Sequence, residues 1–171
     1  MKPKTAIILI APPAAGKSTF CLKHKDKVIV SPDLIRERLY GDMDIQGGAE
    51  VFTEFYREID ELKKTDKSII LDATHCRLKD LKKSVNYLIN DYKVIMVVFL
   101  VPLAIHFERN AKRDRHVPEE VISRMWNALR SNLPEIRKLA KDNELFLMVK
   151  EEYEETTVTE AKRSPSKGQE R

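Results

Sequence analysis

A nine-residue segment near the start of the chain combines small residues with a lysine and two hydroxyl side chains. It reads Ala11-Pro12-Pro13-Ala14-Ala15-Gly16-Lys17-Ser18-Thr19 and follows an apolar stretch typical of a buried strand. At a strand-to-helix turn, backbone N–H groups point at phosphate oxygens, a lysine bridges terminal phosphates and a serine hydroxyl ligates Mg²⁺. The pattern usually has glycine at the position of Ala11. The alternative to a phosphate-binding loop is a small-residue segment that enters a helix and contains Gly-Lys-Ser by chance. The residues expected to contact nucleotide phosphates are Ala14, Ala15, Gly16, Lys17, Ser18 and Thr19.

An aspartate ends a second apolar run. Asp72 follows Ile69-Ile70-Leu71, so it falls at the carboxyl end of a predicted buried strand. An acid at that place can hold Mg²⁺, directly or through water, beside Ser18. The alternative is an aspartate that caps the following helix. Together with the phosphate-binding segment, Asp72 and Ser18 predict a magnesium site.

A third polar cluster begins a predicted helix after another short strand. Asp33 and Arg36 are three residues apart, so they share one helix face. A carboxylate there can accept the proton of an attacking hydroxyl, and the arginine can orient it or bind a phosphate of the acceptor. The spacing fits equally well an N-terminal acid in an ion pair without a catalytic role.

A basic run from Arg109 to Arg115 offers cations for a transferring phosphoryl group. A helical segment that closes over ATP would supply such charges and exclude water. Arg109 and Arg113 are the candidates in this run. A solvated basic helix end, favoured by the helix dipole, is the alternative.

Alternating strand and helix patterns surround these clusters. They predict a doubly covered parallel sheet of about five strands, an α/β fold in which ligands bind beyond the carboxyl ends of the strands. The predicted strands are Thr5–Ile10, Lys27–Val30, Ser68–Asp72, Lys93–Val101 and Leu145–Val149. The predicted helices are one from Ser18 to about Lys23, Pro32–Tyr40, Ala49–Lys64, Leu78–Ile89, one from Pro102 into the basic run, and one from Pro118 that Pro134 interrupts.

Length and composition are those of one globular domain. The chain has 171 residues, 42% of them hydrophobic and 34% charged, with a net charge of +4 that suits an anionic partner. No apolar run reaches the roughly 20 residues that span a bilayer. Two cysteines make no disulfide framework, so we expect a cytoplasmic protein. We expect residues 1–150 to form the domain and residues 151–171 a charged, flexible tail.

The residues around the basic run resemble a known family. The string from Val101-Pro102 through Arg109-Asn110-Ala111-Lys112-Arg113 to Val117-Pro118-Glu119-Glu120-Val121-Ile122-Ser123-Arg124-Met125 is similar to the kinase domain of bacteriophage-type polynucleotide 5′-hydroxyl kinases. The resemblance spans residues 7 to about 133. It implies a P-loop kinase fold with a helical lid and, for a phage-encoded protein, action in the host cytoplasm.

The resemblance also implies roles for individual residues. Lys17 would bind phosphate, Asp33 would be the general base for the 5′-hydroxyl, and Arg36 would bind the acceptor's 3′-phosphate. Arg109 and Arg113 would contact the ATP phosphates. The sequence departs from the family's usual pattern at Ala11 and at His75, where relatives often have asparagine. The implied catalytic set is Asp33, Lys17, Arg36 and Arg113, with Ser18 and Asp72 as metal ligands.

The activity that this resemblance implies is ATP-dependent transfer of the γ-phosphate to the 5′-hydroxyl end of DNA or RNA, as in end repair. ATP and Mg²⁺ are the expected cofactors, and a nucleic-acid end is the expected partner. Three alternatives stay open: a kinase for a hydroxymethylated base in phage DNA, a kinase for a small-molecule hydroxyl, and a nucleotide-dependent switch without catalysis.

Overall fold

A five-stranded, all-parallel sheet forms the centre of the fold. The computed structural model describes residues 3–45 and 48–153. The strands are β1 (Thr5–Ile10), β2 (Val28–Val30), β3 (Ile69–Leu71), β4 (Lys93–Leu100) and β5 (Phe146–Glu151). They lie in the order β2-β3-β1-β4-β5, and each neighbouring pair is parallel. The predicted α/β fold is therefore confirmed.

Helices connect the strands and cover both faces of the sheet. Side chains alternate across a strand, so Ala6, Ile8 and Ile10 face one side of the sheet while Ile7 and Leu9 face the other. The helices are α1 (Lys17–Leu22), α2 (Pro32–Tyr40), α3 (Ala49–Lys63), α4 (Leu78–Leu88), α5 (Leu103–Ala111) and α6 (Glu119–Asp142). The first side of the sheet packs against α3, α4 and α6, and the second packs against α1 and α5.

The sixth helix corrects one prediction. We expected Pro134 to interrupt it, but α6 runs unbroken from Glu119 to Asp142. Proline removes one backbone hydrogen bond and crowds the preceding turn. Pro134 is exposed, whereas Leu129 and Ile136, one on each side of it, are fully buried in the same core. Packing along this continuous apolar face outweighs the local cost of the proline.

The basic run is only partly helical. Helix α5 ends at Ala111, and residues 112–118 form a loop that leads into α6. Buried Asn110 holds this loop, because its Nδ2 donates to Val117 O at 2.8 Å and its Oδ1 accepts from Val117 N at 3.0 Å. Arg113 therefore lies on a tethered loop, while Arg109 lies on the helix.

The last strand extends slightly beyond the expected domain end. Strand β5 runs to Glu151, and Glu152 N donates to Leu100 O at 3.0 Å. From residue 154 onward, the predicted tail lies outside the described residues. Within residues 3–45 and 48–153, none of the helices is both long and apolar enough to traverse a bilayer.

Candidate active site

The segment between β1 and α1 folds as a tight loop with two left-handed residues. Gly16 has φ 106° and Ala14 has φ 63°. A side chain at Gly16 would be strained by this backbone conformation even though the space beside it is open. Ala11, by contrast, is fully buried with an ordinary φ, and its N donates to Thr74 O at 2.9 Å. Alanine is thus tolerated where the pattern usually has glycine, and the strain falls at Ala14 instead.

Lys17 folds back over this loop. Its Nζ donates to Ala11 O at 2.9 Å. Burial lowers the pKa of Lys17, while the nearby Asp72 carboxylate, and less strongly Cys76 and Asp33, act in the opposite direction. The lysine therefore lies among acids from two other parts of the chain.

One cleft of about 630 Å³ brings together four of the predicted site residues, whereas Lys17, Arg36 and Arg109 are not part of its lining. Ser18, Asp33 and Asp72 belong to segments that follow β1, β2 and β3 at the carboxyl edge of the sheet, where the fold class predicts a ligand site. The cleft is lined by Ser18 from α1, Asp33 from α2, Asp72 after β3, and Arg113 and Arg115 from the loop after α5.

Asp72 and Ser18 offer a donor set that suits Mg²⁺. Burial raises the pKa of Asp72, Lys17 lowers it, and Asp33 raises it further. Burial and Asp72 raise the pKa of the Cys21 thiol to about 12, so Cys21 stays protonated beside the carboxylate. Mg²⁺ is commonly held by one or two protein oxygens, with water and substrate phosphates completing the shell. A hydroxyl and a carboxylate on the same cleft match that requirement.

Asp33 lies between two arginines. Ser31 caps α2 by accepting from Leu34 N, and Pro32 occupies the first turn, so Asp33 is fixed at the helix start. Its Oδ1 accepts from Arg36 Nη1 and its Oδ2 from Arg115 Nη1, each at 2.9 Å. Both interactions are charge-assisted hydrogen bonds.

Arg115 is the site residue that sequence reasoning missed. Besides Asp33, it donates through Nε to Asp44, on the loop after α2. It therefore connects the loop after α5 to α2 and to the loop that follows α2. The sequence marks Arg115 only as part of the basic run. Its contact with Asp33 could not be predicted, because the two residues are 82 positions apart.

Arg36 is placed beside Asp33 and not in the cleft lining. Only 15% of its side chain is exposed, and its Nε is buried without a hydrogen-bond partner among the described residues. Its Nη1 donates to one oxygen of the Asp33 carboxylate, and Arg115 donates to the other. The structure thus gives Arg36 a contact with Asp33, and its expected contact with an acceptor phosphate stays a prediction.

Helix α5 supports the outer side of the phosphate loop. His106 is fully buried, and its Nδ1 donates to Pro13 O at 2.8 Å. Arg109 approaches Ala15 O through Nη1 at 3.4 Å and pairs through Nη2 with Glu152.

Of the remaining predicted residues, Ala15 is buried, while Ser18 and Thr19 are exposed at the start of α1.

Comparison with known proteins agrees with this architecture. A family model described as an AAA domain matches residues 7–136, which include the phosphate loop, Asp33, Asp72 and the basic run. The chain belongs to this family. Its membership accounts for the P-loop fold that the sequence predicted. The match ends at residue 136, inside α6.

Individual relatives of this AAA domain protein include kinases. The chain is 29% identical over 136 residues to an L-seryl-tRNA(Sec) kinase of Methanococcus maripaludis, a match that covers 70% of this chain and 50% of that protein. The chain therefore spans about half the length of this curated relative.

Two solved structures share the fold. One, from the Pnkp1/Rnl/Hen1 RNA repair complex, superposes with a TM-score of 0.72 at 20% identity and covers 79% of this chain and 47% of that one. Another, AvrRxo1-ORF1:AvrRxo1-ORF2 with ATP, superposes with a TM-score of 0.70 at 16% identity and covers 97% of this chain and 65% of that one. At these identities the similarity is one of fold.

Proposed function

We propose that this protein is an ATP-dependent kinase that transfers the γ-phosphate to the 5′-hydroxyl end of DNA or RNA. The observation that carries the proposal is the cleft whose lining includes Ser18, Asp72, Asp33 and Arg113. A nucleotide switch needs the phosphate loop and the metal ligands but no acceptor base. An acid placed against the phosphate site therefore favours an enzyme.

The chemistry follows from the placement of these groups. Lys17 is built into the phosphate loop and would hold the terminal phosphates, while Arg113 would neutralise charge on the transferring group. Asp33 would accept the proton of the hydroxyl, whose oxygen forms the new bond to phosphorus as the bond to ADP breaks. Arg36 and Arg115 would hold the carboxylate in place for that proton.

Ser18 and Asp72 would hold Mg²⁺. When bound, the ion would neutralise phosphate charge and align the triphosphate. Burial raises the pKa of Asp72. A cation bound at that carboxylate would act in the opposite direction and favour the ionised form. Catalysis by this chain rests on positioning and charge, without covalent attack by a protein side chain.

A nucleic-acid acceptor is supported by charge and by the kinds of relatives. The net charge of +4 favours an anionic partner. One relative is named a seryl-tRNA kinase and one structural neighbour belongs to an RNA repair complex. The first of these favours a second candidate, a hydroxyl carried by RNA elsewhere than at its 5′ end, because that relative is matched over 136 residues.

The test is incubation with γ-labelled ATP, Mg²⁺ and a panel of acceptors. The panel holds an oligonucleotide with a free 5′-hydroxyl, the same oligonucleotide already 5′-phosphorylated, one with hydroxymethylated bases and a 5′-phosphate, and a seryl-tRNA. Label on the free 5′-hydroxyl alone supports the proposal. Transfer only to another acceptor reassigns the substrate, and ATP binding without transfer to any of them supports a switch. Lys17→Ala should abolish transfer, since the loop would lose its phosphate-binding cation.

A further inference from the structure

The cleft continues beyond the reacting groups along the outer edge of the sheet. This continuation, here named the edge groove, follows α1 and β2, and β2 is the edge strand. None of its residues takes part in the chemistry described above. The edge groove is lined by Leu22, Lys25, Lys27, Ile29, Leu34 and Met43.

The edge groove leads away from the reaction centre. Ser31 follows the carboxyl end of β2, near Asp33, whereas Lys27 precedes its amino end. Lys27 and Ser31 are four steps apart along extended chain, which is about 13 Å at 3.3 Å per step. Lys27 therefore lies at the far end of β2 from Ser31 and Asp33, and Lys25 belongs to the turn that leads into that end.

The lining alternates between apolar surface and positive charge. Leu22 is 66% exposed and Leu34 is 46% exposed, so both present unburied apolar surface to the groove. Lys25 is exposed, and among the described residues no acid lies within ion-pair distance of it. Lys27 is paired with Asp26 at 2.9 Å. Apolar surface beside a lysine fits bases that pack through their faces and a backbone that carries phosphates.

We propose that the edge groove binds the nucleotides that follow the 5′ end of a single-stranded nucleic acid, with Lys25 contacting an internucleotide phosphate. This inference rests on the proposed function and extends it, because it makes the acceptor a polymer that the protein holds beyond its first nucleotide. A small acceptor that fills only the space between Asp33 and Ser18 would not contact the edge groove or Lys25.

The test compares two acceptors that share the reacting end. One is a nucleoside 3′-phosphate and the other a single strand of about eight nucleotides with a free 5′-hydroxyl. The wild-type protein should show a higher kcat/KM for the longer acceptor. Lys25→Gln should lower kcat/KM about fivefold for the strand and leave the mononucleotide value unchanged, since only the strand reaches Lys25. The slope of log kcat/KM against log salt for the strand should become shallower by roughly 0.7, the value for one phosphate contact on a single strand.

Lys79→Gln is the matched control, because Lys79 is an exposed lysine on α4, a helix that packs on the opposite face of the sheet from α1. It should change neither acceptor's rate nor the salt slope. Equal kcat/KM for both acceptors in the wild type, or an unchanged strand rate and salt slope in Lys25→Gln, would overturn the edge-groove assignment and leave the proposed function standing. Absence of transfer to both acceptors would instead refute the proposed function.

Discussion

At the scale of single residues, Arg115 connects the loop after α5 to α2 and the loop that follows it. Its guanidinium binds Asp33 from α2 and Asp44 from the following loop. The side chain is 28% exposed, so these ion pairs are partly screened by solvent and add little to global stability. Their effect should therefore fall on the geometry of the cleft.

Arg115→Ala should lower kcat/KM for the acceptor about tenfold, because the loss of charge-assisted hydrogen bonds frees both the loop that carries Arg113 and the Asp33 carboxylate. The free energy of unfolding should change by less than about 1 kcal/mol. Steady-state kinetics and urea unfolding measure the two effects. The control is Arg137→Ala, an exposed arginine on α6. Unchanged kinetics in Arg115→Ala would remove Arg115 from the site.

The surroundings of His75 should make the stability of the fold depend on pH. It is buried, with Nδ1 bonded to Leu9 O at 2.9 Å and Nε2 to Ser84 Oγ at 3.1 Å. Burial lowers the pKa of His75 to about 4. It also has φ 51°, a left-handed conformation that asparagine accepts readily. These contacts fasten the segment after Asp72 to β1 and α4.

The pKa of His75 predicts a loss of stability in acid. The folded pKa lies below the ordinary value of 6.5, so the unfolded chain binds the proton more tightly. The stabilisation is complete above pH 6.5 and is lost as the pH falls towards 4, by about 3 kcal/mol in all. Urea unfolding between pH 7 and 4 should show a flatter profile for His75→Asn than for the wild type. Parallel profiles would show that His75 does not titrate as the structure implies.

At the scale of helices and strands, most boundaries follow from local patterns. β1 matches its predicted bounds, and α2 matches too because Ser31 and Pro32 begin it and Gly41, with φ 76°, ends it. The unbroken α6 could not be predicted, because the decisive term is packing against residues distant in sequence. The hydrophobic spacing favours a continuous helix, whereas the proline favours a break. Only packing in the folded core decides between these two local effects.

Pro134→Ala should raise the free energy of unfolding by about 1–2 kcal/mol. The substitution restores a helical hydrogen bond, and the greater flexibility of the unfolded chain offsets part of that gain. Pro134 is exposed, so no core packing changes. Ser131→Ala, at another exposed position of α6, is the control and should change stability by no more than about 0.5 kcal/mol. Equal or lower stability of Pro134→Ala would show that the proline costs α6 nothing.

At the scale of the whole molecule, strand order assembles the site. The order β2-β3-β1 places the carboxyl ends of these three strands side by side, so Ser31, Asp72 and Ala11 become neighbours. Each cluster could be predicted from sequence because its residue types and its position after a strand are local features. The left-handed Ala14 and the reach of Arg115 to Asp33 could not, because they depend on loop closure and on a contact across 82 positions.

In the proposed reaction, Lys17 would hold the triphosphate and Asp33 would take the proton from the acceptor. The most direct test is the initial rate of γ-phosphate transfer to a 5′-hydroxyl oligonucleotide by the wild type, Asp33→Asn and Asp80→Asn. Asp80 is an exposed acid that also faces an arginine, with Arg77 Nε 3.7 Å from its Oδ2. Asp33→Asn should lower kcat by about 10²-fold or more while Mg²⁺ and ATP still raise its Tm, and Asp80→Asn should match the wild type. Wild-type turnover by Asp33→Asn would contradict the account.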